Sequence, residues 1–339
     1  MTSARSTGKM GGVNRRTLIK MVGVAPIAGV TVPADRTPPV TIRVATPFAA
    51  GHILADTAFK FKELLEADTR GRVLVDVATS VLNEQTINPA MAPCDPAERV
   101  ADIVLTGGQP IQDYAPAYFF FNGPYVIEDY AHFARVWRSH LGAEARALVE
   151  ERGNLVSLGT VYRGFRQFTA NKPINGPADL AGIKLRLPPV PDWRAVWSAL
   201  GAQPVEVPLT GIYEALRTGV AEASEGDLTQ ISSLRLFEVQ SHLALTSHLV
   251  GFGLVVANSC FLRDVPWPRK VRRAMGAATA WGSQFMADRE ATLRAELAQA
   301  GMTVVTPDAA AIEAAARPAI DQLFATTWNV TTWDEILSL

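Results

Sequence analysis

The chain has 339 residues, 48% of them apolar and 19% charged, which is enough for about two globular domains and excludes disorder as its main state. Its 32 basic and 33 acidic residues nearly cancel, and no run of like charge interrupts the body, which argues against a nucleic-acid partner. No apolar stretch approaches the roughly 20 residues of a membrane-spanning helix, so the body is not expected to span a bilayer. Cys94 and Cys260 are too few for a disulfide framework or a zinc site.

Residues 1–34 differ in composition from the rest, with Arg5, Lys9, Arg15, Arg16 and Lys20 and no acidic residue. Asn14-Arg15-Arg16-Thr17-Leu18-Ile19-Lys20 resembles the twin-arginine export motif. The apolar run Met21 to Val30 suits a leader and is too short to span, and Val32-Pro33-Ala34 offers small residues for cleavage. The expectation is a signal peptide over 1–34 and a periplasmic protein of 305 residues with 27 basic and 33 acidic groups.

Strands and helices alternate thereafter. Thr41 to Ala45 alternates like a strand, and His52 to Thr69 carries Leu54, Ala58, Phe61 and Leu65 on one helical face. Val73, Val75 and Val77 share a strand face, and Ile103-Val104-Leu105 reads as a buried strand ending at Gly107-Gly108, so the sheet is expected to be parallel in its core. Tyr114 to Tyr125, with Phe119, Phe120 and Phe121, reads as a segment packed beneath the sheet. A helix is expected over Ile127 to Glu151, then two strands, Leu155 to Tyr162 and Gln167 to Asn171, separated by Gly164. The spacing predicts a strand over Ile183 to Leu187 stopped by Pro188 and Pro189. Helices are predicted over Asp192 to Leu200 and Ile212 to Thr218, closed by Gly201 and Gly219. A strand follows over Gly251 to Ala257. Pro268 to Ala300 reads as one helix, about 50 Å long at roughly 1.5 Å per residue, able to brace two domains.

The chain carries no nucleophile elbow, phosphate loop, dinucleotide fingerprint or His/Cys cluster at ligand spacing, so no catalytic residue, cofactor or metal site is expected. The five histidines are dispersed. His132 and His140, eight apart on a predicted helix, suit surface positions, whereas His52 and His248 are harder to read as ordinary structural or solvent-facing residues. Arg166, two residues after Gly164, and Arg186, at the end of an apolar strand, stand where open α/β sheets collect ligands, and a guanidinium can hold a carboxylate with two parallel bonds. Taken alone, each is more ordinarily read as an internal salt bridge.

From Gly164 to Gln240 the chain resembles the periplasmic solute-binding subunits of TRAP transporters, the tripartite ATP-independent uptake systems. The pieces arrive in that family's order. They are Gly164-Phe165-Arg166-Gln167, Asn171-Lys172-Pro173-Ile174 and Pro177 through Arg186, then Ala199-Leu200-Gly201-Ala202-Gln203-Pro204 and Ile212 through Val220. The resemblance extends more loosely over residues 40–305. It implies an α/β, two-lobed periplasmic-binding-protein (Venus-flytrap) fold with a long helix spanning both lobes, divided as 40–163 plus 251–291 and 164–250 plus 292–339. It further implies a small carboxylate ligand, and as partners one small and one large integral membrane subunit. Arg186 matches the family's principal carboxylate-binding arginine and Arg166 the second arginine of the pocket.

Departures from the pattern bear on the ligand. Gly226, within Glu225-Gly226-Asp227, and Pro189 stand where sialic-acid binders of the family carry Asn. With two amides lost, a sugar acid is disfavoured, and Trp193, Phe48, Leu209 and Tyr162 are expected to line an apolar cavity for a less polar monocarboxylate, with His52 also at the site. A dicarboxylate or keto acid stays open. An exported enzyme of the same fold would use Glu225 or Asp227 to move a proton, and a ligand sensor would dock to a receptor. Pairing of Cys94 with Cys260 requires Cα atoms within about 7 Å and is left open by the sequence.

Overall fold

The computed structural model describes residues 38–339; the leader reading lies outside them. The strands are β1 (Val40–Ala45), β2 (Val73–Ala78), β3 (Ile103–Thr106), β4 (Leu155–Ala170), β5 (Lys184–Leu187), β6 (Gln203–Glu206), β7 (Ala223–Asp227), β8 (His242–Asn258) and β9 (Thr303–Val305). They form one sheet ordered β2-β1-β3-β8-β4-β7-β5-β6, with β9 beside β8. The helices are α1 (Ile53–Thr69), α2 (Glu84–Ile87), α3 (Gln109–Tyr114), α4 (Tyr130–Arg138), α5 (His140–Gly153) and α6 (Pro191–Ala199). They continue with α7 (Ile212–Arg217), α8 (Leu228–Ser233), α9 (Ser259–Asp264), α10 (Pro268–Gln299), α11 (Ala309–Thr326) and α12 (Trp333–Ser338). The mixed sheet with its surrounding helices agrees with the α/β fold class expected from the sequence.

The sheet is not parallel at its centre. Parallel strands lie at its two ends, where β1 pairs with β2 and β3, and β5 with β6 and β7. Between them β3–β8, β8–β4 and β4–β7 are antiparallel. The reason is that β4 and β8, of 16 and 17 residues, run through both halves as one long antiparallel ribbon, where the sequence reading expected shorter strands. Gly164 does not end β4. It sits at a register shift, with a φ of +86° that disfavours side chains, and pairs with Gly251, where an added Cβ would lie 2.6 Å from the Gly164 carbonyl oxygen.

The helix expected over Ile127 to Glu151 is broken at Ser139, which leaves the α-region (ψ 179°) and caps α5 by accepting from the Leu141 N–H. His132 is buried, its Nε2 2.9 Å from the Ile336 carbonyl of α12, contrary to the surface position its spacing suggested; His140 is exposed. Phe119, Phe120 and Phe121 are buried in a 3₁₀ turn, Phe121 packing on Phe133 and Trp137 and Phe120 on Phe324, each such ring contributing about 2 kcal/mol or more through apolar burial. α10 has 32 residues, about 48 Å at 1.5 Å rise, and packs on α1 and β4. Among the described residues no helix is long and apolar enough to cross a membrane. Cys94 and Cys260, with Cα atoms 5.4 Å apart, form a disulfide.

Candidate functional site

Three segments meet at one cleft. β5 delivers Arg186 and then Pro188, β4 delivers Arg163 and Arg166 on either side of Gly164, and the Gly107-Gly108 turn after β3 leads into α3 with Gln109 at its start. Glu84, Asn122, Trp193, Gln230, Gly251 and Phe252 complete the lining, around about 340 Å³ of empty volume. The cleft is nearly closed, with central room for little more than a water molecule. A Cβ at Gly107 would collide with both Glu84 Oε1 and Gln109 Oε1, so glycine there lets the two oxygens converge.

The bulge at Gly164 explains how both arginines of β4 reach one side. Residues 163 and 166 are an odd number apart and would point to opposite faces of a regular strand. With the register shift between Tyr162 and Gly164, both converge on Asp227, Arg163 Nη2 at 2.8 Å and Arg166 Nη1 at 4.0 Å from Oδ2. Arg166 also grips Glu225 with two bonds, Nε to Oε2 at 2.5 Å and Nη2 to Oε1 at 2.8 Å, while its guanidinium lies over Trp193. Arg163 lies over Phe48.

These partners fix the ionisation of the cluster. Burial alone would raise Glu225, but Arg166 and the hydrogen bond from His248 outweigh it and bring the carboxyl down to about 2. Burial likewise opposes ionisation of Asp227, yet Arg163, His52 and Arg166 hold it well below the usual carboxylate range. Burial pushes His52 down to about 4 against the pull of Asp227, so its ring is neutral at pH 7; Nδ1 accepts from the Leu54 N–H and caps α1. Burial also lowers His248, whose neutral ring donates from Nε2 to Glu225 at 3.3 Å and accepts at Nδ1 from Thr246 Oγ1 at 2.8 Å.

Arg186 is different. It is 2% exposed, its Nε donates to the Val207 carbonyl at 2.8 Å, and its Nη2 has no hydrogen-bond partner among the described residues. Burial pushes the guanidinium down to about 10, partly offset by Glu225 and Glu84. Nor does any carboxylate of the described residues lie within 4.0 Å of it, whereas Arg163 and Arg166 are both paired. A buried cation with a free donor edge, facing a cavity, is built to receive an anion. Gln230 Nε2 and Gln109 Oε1 are also buried and unpartnered there.

The structure brings Arg186, Arg166 and Trp193 to the cleft lining, with Glu225 and Asp227 behind them as partners of Arg166 and Arg163, and His52 against Asp227. Phe48 and Leu209 line a neighbouring cleft of about 510 Å³, and Tyr162 turns to α10, its hydroxyl donating to Glu290. The apolar cavity expected from these four residues is therefore not formed, because only Trp193 faces the cleft. Nor does Gly226 leave it short of amides. A Cβ there would lie 2.6 Å from Gln230 Nε2, so glycine makes room for an amide carried by α8. Sequence reasoning missed Glu84, Gln109, Asn122, Arg163 and Gln230; the odd spacing of two arginines around a strand glycine was the one usable signal.

Comparison with known proteins agrees with this architecture. The profile of the bacterial extracellular solute-binding protein family 7 matches residues 44–327. A solute-binding protein of Roseobacter denitrificans is 30% identical over 267 residues, 78% of this chain and 80% of that one. A crystal structure of a TRAP periplasmic solute-binding protein from the same organism, with bound L-galactonate, superposes with a TM-score of 0.79 at 26% identity, covering 88% of this chain and 99% of that one. The C4-dicarboxylate-binding periplasmic protein of Rhodobacter capsulatus is 26% identical over 297 residues, 86% of this chain and 87% of that one. With its two-lobed fold and an unpaired buried arginine in the cleft, the chain belongs to bacterial extracellular solute-binding protein family 7, as a solute-binding protein of the TRAP type.

Proposed function

We infer that this protein captures a small organic acid in the periplasm, holding the carboxylate on Arg186, and delivers it to the two membrane subunits of a TRAP transporter. The observation that carries the reading is the buried Arg186 guanidinium with a free Nη2. A carboxylate in a water-poor cleft supplies what that edge lacks, two charge-assisted bonds in one plane. The bound L-galactonate of the Roseobacter relative and the C4-dicarboxylate of the Rhodobacter relative belong to the same chemical class.

The near-closed cleft requires the lobes to part before an acid enters. The division 40–163 plus 251–291 against 164–250 plus 292–339 sets the hinge at the paired Gly164 and Gly251, with Gly253 beside them. The C-terminal helices are the exception, since Phe324 of α11 packs on Phe120 and the Ile336 carbonyl of α12 lies on His132 of α4. Export through the twin-arginine pathway follows from Arg15 and Arg16.

The same cleft does not favour catalysis. Glu225 and Asp227, the candidate proton carriers, are ionised and tied to Arg166 and Arg163, so neither is poised near neutral pH. A thermal-shift screen against organic acids tests binding, because ligand at 100 times its dissociation constant stabilises the fold by about 2.7 kcal/mol. Product analysis after prolonged incubation with each hit separates the classes: unchanged acid supports a receptor, and turnover contradicts it.

A further inference from the structure

The buried charges of the cleft do not all pair. Among the described residues, Arg166 is matched by Glu225 and Arg163 by Asp227, which leaves Arg186 and Glu84. Glu84 is 7% exposed, and its nearest cation, Arg163 Nη1, stands 3.9 Å from Oε1, beyond hydrogen-bond reach. Beside it is Gln109 Oε1, a second acceptor with no donor.

We propose that Glu84 makes the cleft selective for hydroxylated monocarboxylates and excludes dicarboxylates. This rests on the reading of Arg186 as the carboxylate anchor. One carboxylate uses the one unpaired guanidinium. A second can approach only Arg163 and Arg166, whose charges are already matched by Asp227 and Glu225, and must lie in a buried space shared with the Glu84 carboxylate, where like charges repel at close range. Hydroxyl groups fit what remains. They donate to Glu84 and Gln109 Oε1, and they accept from Gln230 Nε2, a buried donor without a partner. An ammonium group answers only half of that pattern, since it cannot accept from Gln230, and the Arg163 guanidinium near Glu84 repels it. A plain alkyl acid leaves all three polar atoms unpaired, each a penalty of about 1–3 kcal/mol.

The test is isothermal calorimetry with acids matched in length: threonate against tartrate, gluconate against glucarate, and butyrate, hexanoate and threonine as controls. Wild type should bind at least one of threonate and gluconate roughly tenfold or more tighter than its dicarboxylate counterpart, and tighter than the alkyl and amino acids. Glu84→Gln keeps the shape and an acceptor but removes the charge, and should bring each pair within about threefold. A melting temperature within the range of wild type certifies its fold, and if it fails, Glu84→Ser provides the same charge removal. Equal or tighter binding of tartrate or glucarate by wild type, an unchanged ratio in the folded variant, or preference for threonine or an alkyl acid overturns the proposal. Arg186→Met separates the two readings. If it abolishes binding of an acid whose selectivity ignores Glu84, the anchor stands and only this proposal falls.

Discussion

Arg186→Met removes the free guanidinium and keeps an unbranched side chain, and the structure assigns it two effects of opposite sign. In the complex, losing one partner of a buried charge pair costs about 2–5 kcal/mol, or roughly 30- to several-thousand-fold in affinity. In the ligand-free protein the same charge opposes closure. Burial pushes its pKa from 12.5 down to about 10, the sign of a buried charge that lacks a full partner, so closing the cleft over it without a ligand is unfavourable. Wild type should therefore be open without ligand and contract on binding, whereas Arg186→Met should be compact from the start and unresponsive. Arg186→Lys keeps the charge but loses the planar fork, and should stay open while binding weakly. Calorimetry gives the affinities and X-ray scattering the radius of gyration. Wild-type affinity in Arg186→Met, with an unchanged radius in the absence of ligand, refutes the reasoning and makes Arg186 a structural residue.

Gly226→Asn should displace Gln230 from the cleft and weaken binding about tenfold or more by calorimetry, since its Cβ would lie 2.6 Å from Gln230 Nε2; full affinity would mean that Gln230 does not touch the ligand. Cys94→Ser with Cys260→Ser opens a crosslink spanning 166 residues and should lower the urea-unfolding free energy by about 2–5 kcal/mol, an effect that reducing agent should reproduce in wild type only. His52 titrates near 4 in the folded protein and near 6.5 when unfolded, so the unfolded state binds the extra proton between those values. Stability should fall by up to about 3 kcal/mol as pH drops from 6.5 to 4. His52→Asn, which keeps a capping acceptor, should flatten that slope, and an unaltered slope would show that another group carries it. Replacing Arg15 and Arg16 together with Lys should leave precursor in the cytoplasm, as seen by fractionation; normal export of that variant would contradict the twin-arginine assignment.

What the sequence made legible follows from how local each feature is. Arg186 ends a strand flagged by Ile183, Leu185 and Leu187 and stopped by Pro188, so one short window contains the signal. α10 is readable for the same reason, its period running unbroken for about nine turns. Glu84, Gln109 and Gln230 lie in short helices or at their starts, and only the crossing of β4 and β8 through both halves brings them together. Tyr162 illustrates the opposite error. It neighbours Arg163 in sequence, but in a strand adjacent side chains face opposite ways, and its hydroxyl meets Glu290 on α10. The sheet was misjudged because a strand that continues past its glycine reads, residue by residue, like two strands and a turn.

In the proposed complex the acid binds through its carboxylate at Arg186. The most direct measurement is a crystal structure of the protein with the tightest acid from the thermal-shift screen. Both carboxylate oxygens should lie within hydrogen-bond distance of the Arg186 guanidinium, with the Arg166–Glu225 and Arg163–Asp227 pairs intact behind it. A carboxylate bound elsewhere, for instance in the cleft lined by Phe48 and Leu209 with Arg186 untouched, would contradict it.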